Sequence, residues 1–233
     1  MALIYDLANL GDSGMCAMQC AQRDWSPHLV HFTSRSAMEP VRQLLDDGGA
    51  MSYYMKGALE YADGISFGVF CKIVSGDSPQ INASRISSKS GSPICVCLSE
   101  CTLPGLFGHS ERYGRFGFVF SKKTIFDIGG RPCSYVDEDG YNHLKEIEGE
   151  NGRLFRLANS YVPFGTKLQA ESGMGRDYMH EREWRVFGDV QLKSVLEAVL
   201  APKRYFERTT CLLREAGIDV PVIPIDMLYD WGV

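Results

Sequence analysis

At 233 residues, 45% of them apolar and 23% charged, the chain is long enough to bury a substantial core and has the balance of a water-soluble globular protein. A formal net charge of −5 excludes a protein that grips nucleic acid by its overall electrostatics and leaves only a local basic groove for such a role. No apolar run approaches the ~20 residues a bilayer-spanning helix needs, so no membrane contact is expected.

The first 24 residues read as a short helical extension ahead of a single domain over 25–233, and Trp25, Ser26 and Pro27 punctuate the boundary. "HLVHFT" (28–33) is a strand. A helix follows from about Met38 to Leu45, capped by Ser34 or Ser36, with Pro40 tolerated in its first turn and Gly48 and Gly49 ending it. Between 50 and 75, "ALEYADG" and "ISFGVFCKIV" are apolar stretches that periodicity does not divide between helix and strand. Residues 76–93, rich in Ser, Gly, Pro and Asn, read as a long polar loop.

"ICVCLSE" (94–100) is the next strand, and "CTLPGLFGHSERYG" reads as turn-rich. "RFGFVFSKKTIFDIGG" is a strand with its continuation, and "RPCSYV" another; 137–152 is an exposed connection or short helix. "EWRVFGDV" is a late strand, "LKSVLEAVLAPKRYFERTTCLLREAG" carries a helical pattern interrupted at Pro202, and "VPVIPIDML" closes with a short strand. Many strands, few long helices and no repeats predict an α+β domain on a mixed sheet.

Eight cysteines, at 16, 20, 71, 95, 97, 101, 133 and 211, lie in apolar contexts with no signal-peptide pattern ahead of them, which predicts reduced thiols and a cytoplasmic protein. Cys95, Cys97 and Cys101 with His109 hold ligand atoms, but no Cys-x-x-Cys pair accompanies them. Cys95 and Cys97, two apart, share one face of a strand, and no metal is expected.

Four places concentrate polar groups beyond what a core needs: His31, Phe32 and Thr33; Ser99 and Glu100; "HSERYGRFGF" at 109–118; and "HEREWRV" at 180–186. His31 and Thr33 point to one side of their strand, where imidazole and hydroxyl suit the hydroxyls of a ribose; a half-buried histidine bonded to a carbonyl is the alternative. In "RYGRFGFVF", Gly114 and Gly117 permit positive φ or close backbone approach beside Tyr113 and Phe116. That makes a slot for a flat heteroaromatic ring, with Arg112 and Arg115 suited to a diphosphate; a tight turn carrying a core Phe is the alternative. Glu181 and Glu183, two apart at a strand start, face one side, while Trp184 and Val186 face the core. A carboxylate there suits a 2′-hydroxyl and a positive centre developing in glycosyl transfer. Arg182 and Arg185 leave open an ordinary face of alternating solvated charges.

In their order along the chain, "WSPHLVHFT", "CLSE" with "HSERYGRFGFVFSKK" and "GGRPCSYV", and "EREWRVFGD" resemble the AbiGi family of bacterial abortive phage infection proteins, over roughly residues 25–230. More distantly the layout is similar to the DarT-type ADP-ribosyltransferase toxins, which modify nucleic acid using NAD. The resemblance implies an ADP-ribosyltransferase-like fold, a split, bent mixed β-sheet with flanking helices around a cleft for NAD as ADP-ribose donor. It implies His31 as the ribose-binding residue with Thr33 assisting, Tyr113 as the ring that stacks nicotinamide (with Phe116 or Tyr135 as alternatives), and Glu183 rather than Glu181 as the central carboxylate. Phe32, Ser99, Gly114 and Arg115 complete the expected NAD contacts. Implied with these are a macromolecular acceptor, RNA and DNA included, and a cognate antitoxin partner. Some AbiGi members carry an antitoxin label, which implies a noncatalytic antitoxin or sensor as the competing role; NAD hydrolysis is a third.

Overall fold

A computed structural model describes residues 26–33, 52–85, 93–160 and 182–228. The helical extension expected at 1–24 and the helix expected from Met38 to Leu45 lie outside the described residues.

Strand β1 (His28–Phe32) forms where "HLVHFT" predicts it. The two ambiguous stretches after it are one helix, α1 (Ser52–Val74). Ala62, Ser66, Phe70 and Val74, all buried, recur every fourth position, the spacing of a single helix face, and Asp63 is buried beside them. The 76–93 segment is not wholly loop, since it holds the short strands β2 (Gln80–Ile81) and β3 (Ser84–Arg85).

Next come β4 (Ile94–Ser99) and then α2 (Leu103–Tyr113). The turn-rich reading of this second stretch is corrected by caps at both ends. Thr102 Oγ1 accepts the Gly105 N–H at 3.3 Å, and Gly114, at φ 95°, ends the helix with its N–H on the Ser110 carbonyl. The "RFGFVF" strand is β5 (Gly117–Ser121), and its continuation is the helix α3 (Lys122–Asp127), capped by Ser121. "RPCSYV" divides into β6 (Arg131–Pro132) and β7 (Ser134–Val136). The acidic segment is α4 (Glu138–Glu148), capped by Asp137; α5 (Arg153–Leu157) and β8 (Ala158–Ser160) follow.

The late strand is β9 (Glu183–Val186), with β10 (Val190–Gln191) after it. The helical pattern expected from Leu192 onward yields only a four-residue turn, α6 (Leu192–Val195), before β11 (Leu196–Ala201); α7 (Phe206–Glu215) is the helix beyond Pro202. Five of the six β11 residues are buried, because both faces of the sheet are covered there. Such a strand is apolar throughout and has no period to separate it from a helix. β12 (Val222–Pro224) closes the described chain with a 3₁₀ turn at Ile225–Leu228.

The main sheet runs β12-β11-β5-β1-β4-β9-β6, with β3 also on β4; β11 and β12 are parallel and the other pairs antiparallel. It is a mixed, bent sheet, and an irregularity between Leu196 and Ala198 adds curvature against β5. One face carries Leu29, Val96, Leu98, Phe118, Phe120 and Val186 against α1 and α7. The other carries Val30, Val119, Ala198 and Leu200 against α2 and the closing 3₁₀ turn. Gly117 is needed here for space, since a Cβ would stand 2.9 Å from Val30 Cγ1.

The layers are tied by a buried charge network. Arg115 donates through Nε to Asp63 at 2.9 Å and also through Nη2, while its Nη1 donates to Asp226 at 2.9 Å. Arg204 Nη2 reaches the same Asp63 carboxylate at 2.6 Å. Asp63 is 1% exposed, and its removal takes from the buried Arg115 guanidinium two of its hydrogen bonds. We expect Asp63→Ala to lower the unfolding free energy by about 3–5 kcal/mol in urea titration. Asp127→Ala, which breaks the exposed pair with Lys123, should leave the midpoint nearly unchanged. Equal small effects would contradict the network's role.

Candidate active site

The site starts from a missing strand partner. One edge of β4 is fully paired with β9: Val96 with Val186, Cys97 with Arg185, Leu98 with Trp184 and Ser99 with Glu183. The other edge is shared. β1 reaches it at Val30–Ser99, and β3 reaches it at Ser84–Cys95 and Arg85–Ile94. Between these two contacts the sheet splits, and the Cys97 carbonyl points into the gap. The imidazole of His31 fills it, Nδ1 lying 2.8 Å from that carbonyl oxygen.

A carbonyl only accepts, so Nδ1 carries the proton and Nε2 keeps a lone pair. Burial holds His31 below its ordinary value of 6.5, with the bond to the Cys97 carbonyl opposing in part, so the ring is neutral at pH 7. Thr33, the next residue but one, donates its backbone N–H to the Phe116 carbonyl at 3.1 Å. Its hydroxyl is buried with no hydrogen-bond partner among the described residues.

Val30, Ser99 and Glu183 are laterally paired and so stand in one row on one face. Two strand spacings put Val30 and Glu183 about 10 Å apart. His31 alternates away from that row, and its ring reaches sideways to the Cys97 carbonyl of β4.

Glu183 is 7% exposed and gripped from several directions. Arg185 donates to it through Nε at 2.9 Å and Nη2 at 3.3 Å, and Asn159 Nδ2 donates to Oε2 at 2.9 Å. Its backbone N–H donates to Tyr135 Oη at 2.8 Å, and its carbonyl accepts from the Cys133 N–H at 2.8 Å. Arg185, 3% exposed, also donates to the Arg156 and Ala158 carbonyls. Burial works against its charge, and Glu183 more than restores it, so Arg185 stays cationic. This corrects the picture of a solvated face of alternating charges, because β7, β8 and α5 cover that face. The thiols beside Glu183 stay protonated at neutral pH. Cys97 is pushed up by its bond with Cys95 and by burial, Cys133 by burial and by the Glu183 charge.

Along the same face, Phe32 stacks on His109 of α2 at 6.3 Å and 17°, and His109 meets Tyr113 at 5.6 Å. Arg112 lies over the Tyr113 ring at 5.3 Å. Tyr113 and Gly114 end the helix that leans on β1. Phe116 sits elsewhere, fully buried among Phe67, Phe70 and Tyr205, and Arg115 is committed to Asp63 and Asp226. Tyr135 spends its hydroxyl on Glu183. Glu181 lies outside the described residues. The extended run begins only at Glu183, because Arg182 adopts φ 41°.

Glu100 carries a role the sequence reading did not give it. Its carboxylate joins Lys122 at 2.7 Å, Arg182 at 3.5 Å and the Ser26 N–H at 3.3 Å, fastening the ends of β1, β5 and β9 to β4. Asn159 and Arg185 were likewise missed as partners of Glu183. A buried Arg two residues from a Glu on one strand face was the available signal. Among the described residues no group of three or more His, Cys, Asp or Glu is placed to hold a metal ion, and no helix is long and apolar enough to cross a membrane.

No family model matches the chain. Among solved structures the chain is similar to Thermus sp. 2.9 DarT in complex with carba-NAD+, at 11% identity and a TM-score of 0.36, over 85% of this chain and 95% of that one. At that level no residue role is carried over.

Because the folded pKa of His31 lies below its unfolded value, the stability tied to its neutral ring is complete above pH 6.5 and declines as pH falls below it. His31→Gln keeps an amide donor for the Cys97 carbonyl and removes the titration. The wild-type minus variant difference in unfolding free energy should therefore fall between pH 7.5 and 5; a flat difference would contradict the buried neutral imidazole.

Proposed function

We propose that the chain binds NAD at the split between β1 and β4 and transfers its ADP-ribosyl group to a macromolecule, as an effector of phage defence or of a toxin-antitoxin pair. The observation that carries the reading is the pairing of a neutral imidazole, whose tautomer leaves Nε2 an acceptor, with a fixed carboxylate two strands away. A ribose is a dense set of hydroxyl donors and acceptors, and this site offers complementary groups. The buried Thr33 hydroxyl with no partner fits a further ribose oxygen.

His31 Nε2 would accept from one ribose hydroxyl and Thr33 would bond another. Ser99, beside Glu183 in register, and the Phe32 ring would border the sugar. Tyr113 would stack the nicotinamide ring, with Gly114 leaving room beside it. Glu183 would accept the 2′-hydroxyl and stabilise the positive charge that develops at C1′. A carboxylate has about four acceptor positions. Arg185 and Asn159 take three, and the Cys97 thiol, a weak donor that a ribose hydroxyl outcompetes, neighbours the carboxylate as well. NAD supplies the ADP-ribosyl group: the bond from C1′ to nicotinamide breaks with its electron pair leaving on nicotinamide, and the acceptor's nucleophile bonds to C1′ and loses its proton. Nucleic acid is the acceptor we favour, met by exposed Arg85 on β3 and exposed Lys123 after β5.

A second reading has its own support. The occupied oxygens of Glu183 suit a structural ion pair, and with it a noncatalytic antitoxin or sensor of the same fold.

Glu183→Gln separates the two. We expect it to cut nicotinamide release by on the order of 100-fold or more while far-UV circular dichroism stays native. Full activity in the folded variant would remove Glu183 from the chemistry. With labelled NAD and cell lysate, label that nuclease digestion releases supports a nucleic-acid acceptor and label that protease releases a protein one. Free ADP-ribose without labelled macromolecule would mark a hydrolase.

A further inference from the structure

β7 and β8 form a small parallel sheet outside the main one, in which Tyr135 is paired directly with Asn159. Both members of that pair hold the same residue of β9. Tyr135 Oη accepts the Glu183 backbone N–H at 2.8 Å, and Asn159 Nδ2 donates to Glu183 Oε2 at 2.9 Å. A carboxylate cannot donate, so the amide must present its NH₂ group, which fixes the orientation of the Asn159 side chain. Arg185 is anchored to the same small sheet through the Ala158 carbonyl at 2.9 Å. One side-sheet register thus sets the backbone, the carboxylate and the counter-ion of Glu183 together.

We infer that Asn159 is a positioning residue for the reaction proposed above, holding Oε2 so that the rest of the carboxylate faces the ligand, with the Tyr135–Asn159 register as the device that aims it. The inference rests on that reaction. Arg185 balances the charge from the same strand as Glu183, and the Asn159 bond, coming from a different element, adds an independent point of attachment at Oε2. Errors of about 1 Å in such a group cost on the order of 100-fold in rate.

The test compares nicotinamide release from NAD by wild type, Asn159→Leu and Asn159→Asp across pH 5 to 9. Leu keeps the volume and loses the donor, so kcat should fall by on the order of 100-fold at every pH with KM changed much less. Asp matches Asn in shape and donates only when protonated. Facing Glu183 it shares one proton with it, so its activity should approach the wild type at the acid end and fall as pH rises. Native circular dichroism in both variants is checked at each pH. An Asp variant whose profile parallels the wild type, or a Leu variant with undiminished kcat, overturns the role of Asn159 while leaving the reaction standing. A wild-type protein that releases no nicotinamide at any pH overturns the reaction and the role together.

Discussion

A strand carbonyl that loses its neighbour must find another donor, and in this fold the Cys97 carbonyl finds it in a side chain. β1 and β3 leave β4 exposed over the few residues between Val30–Ser99 and Ser84–Cys95, and the imidazole of His31 closes the ladder. That single bond fixes the tautomer and leaves Nε2 as an acceptor, while burial keeps the ring neutral. It also gives the Cys97 carbonyl at the split a partner, so that acceptor does not draw the strands together or invite another chain.

Around the split the sheet divides its labour by face. One side is a wall of aromatic and aliphatic residues under α1 and α7, stabilised by apolar burial and braced by the Asp63 network. The opposite side is apolar beside β5 and β11 and polar beside β9. There a buried ion pair would be a liability unless each member found hydrogen bonds, and the side sheet of β7 and β8 supplies them. Glu183 and Arg185 therefore depend on an element that contributes little to the core. Such a construction trades stability for a fixed carboxylate, a trade that is common where a side chain must act.

The sequence disclosed the elements with strong local signals. β1, β4, β5 and β9 all alternate or run apolar between clear breakers, and His31 and Glu183 were legible because each is a polar group where such a strand begins or ends. β11 was hidden because burial on both faces erases alternation. α2 was hidden because its Pro and Gly content resembles a turn; Thr102 and Gly114, a dozen residues apart, were the caps that gave it away. α1 carries three glycines, Gly57, Gly64 and Gly68, which blur its period. The grip on Glu183 was beyond local reading, since it follows from the register of a parallel pair separated by α4 and α5 and from which face that pair covers. Arg115 and Phe116 show the same limit: their neighbours Asp63, Asp226 and Phe70 are far away in sequence, and only packing assigns them to the scaffold.

The proposed NAD site turns on the imidazole that bridges the split, whose Nε2 would meet the ligand. The most direct measurement is nitrogen NMR of histidine-labelled protein, with His31 assigned by comparison with His31→Gln, before and after adding NAD. The account predicts a neutral ring protonated at Nδ1 and an Nε2 signal that moves on titration, as a new hydrogen bond requires. A ring protonated at Nε2, or an Nε2 signal indifferent to saturating NAD, would contradict it.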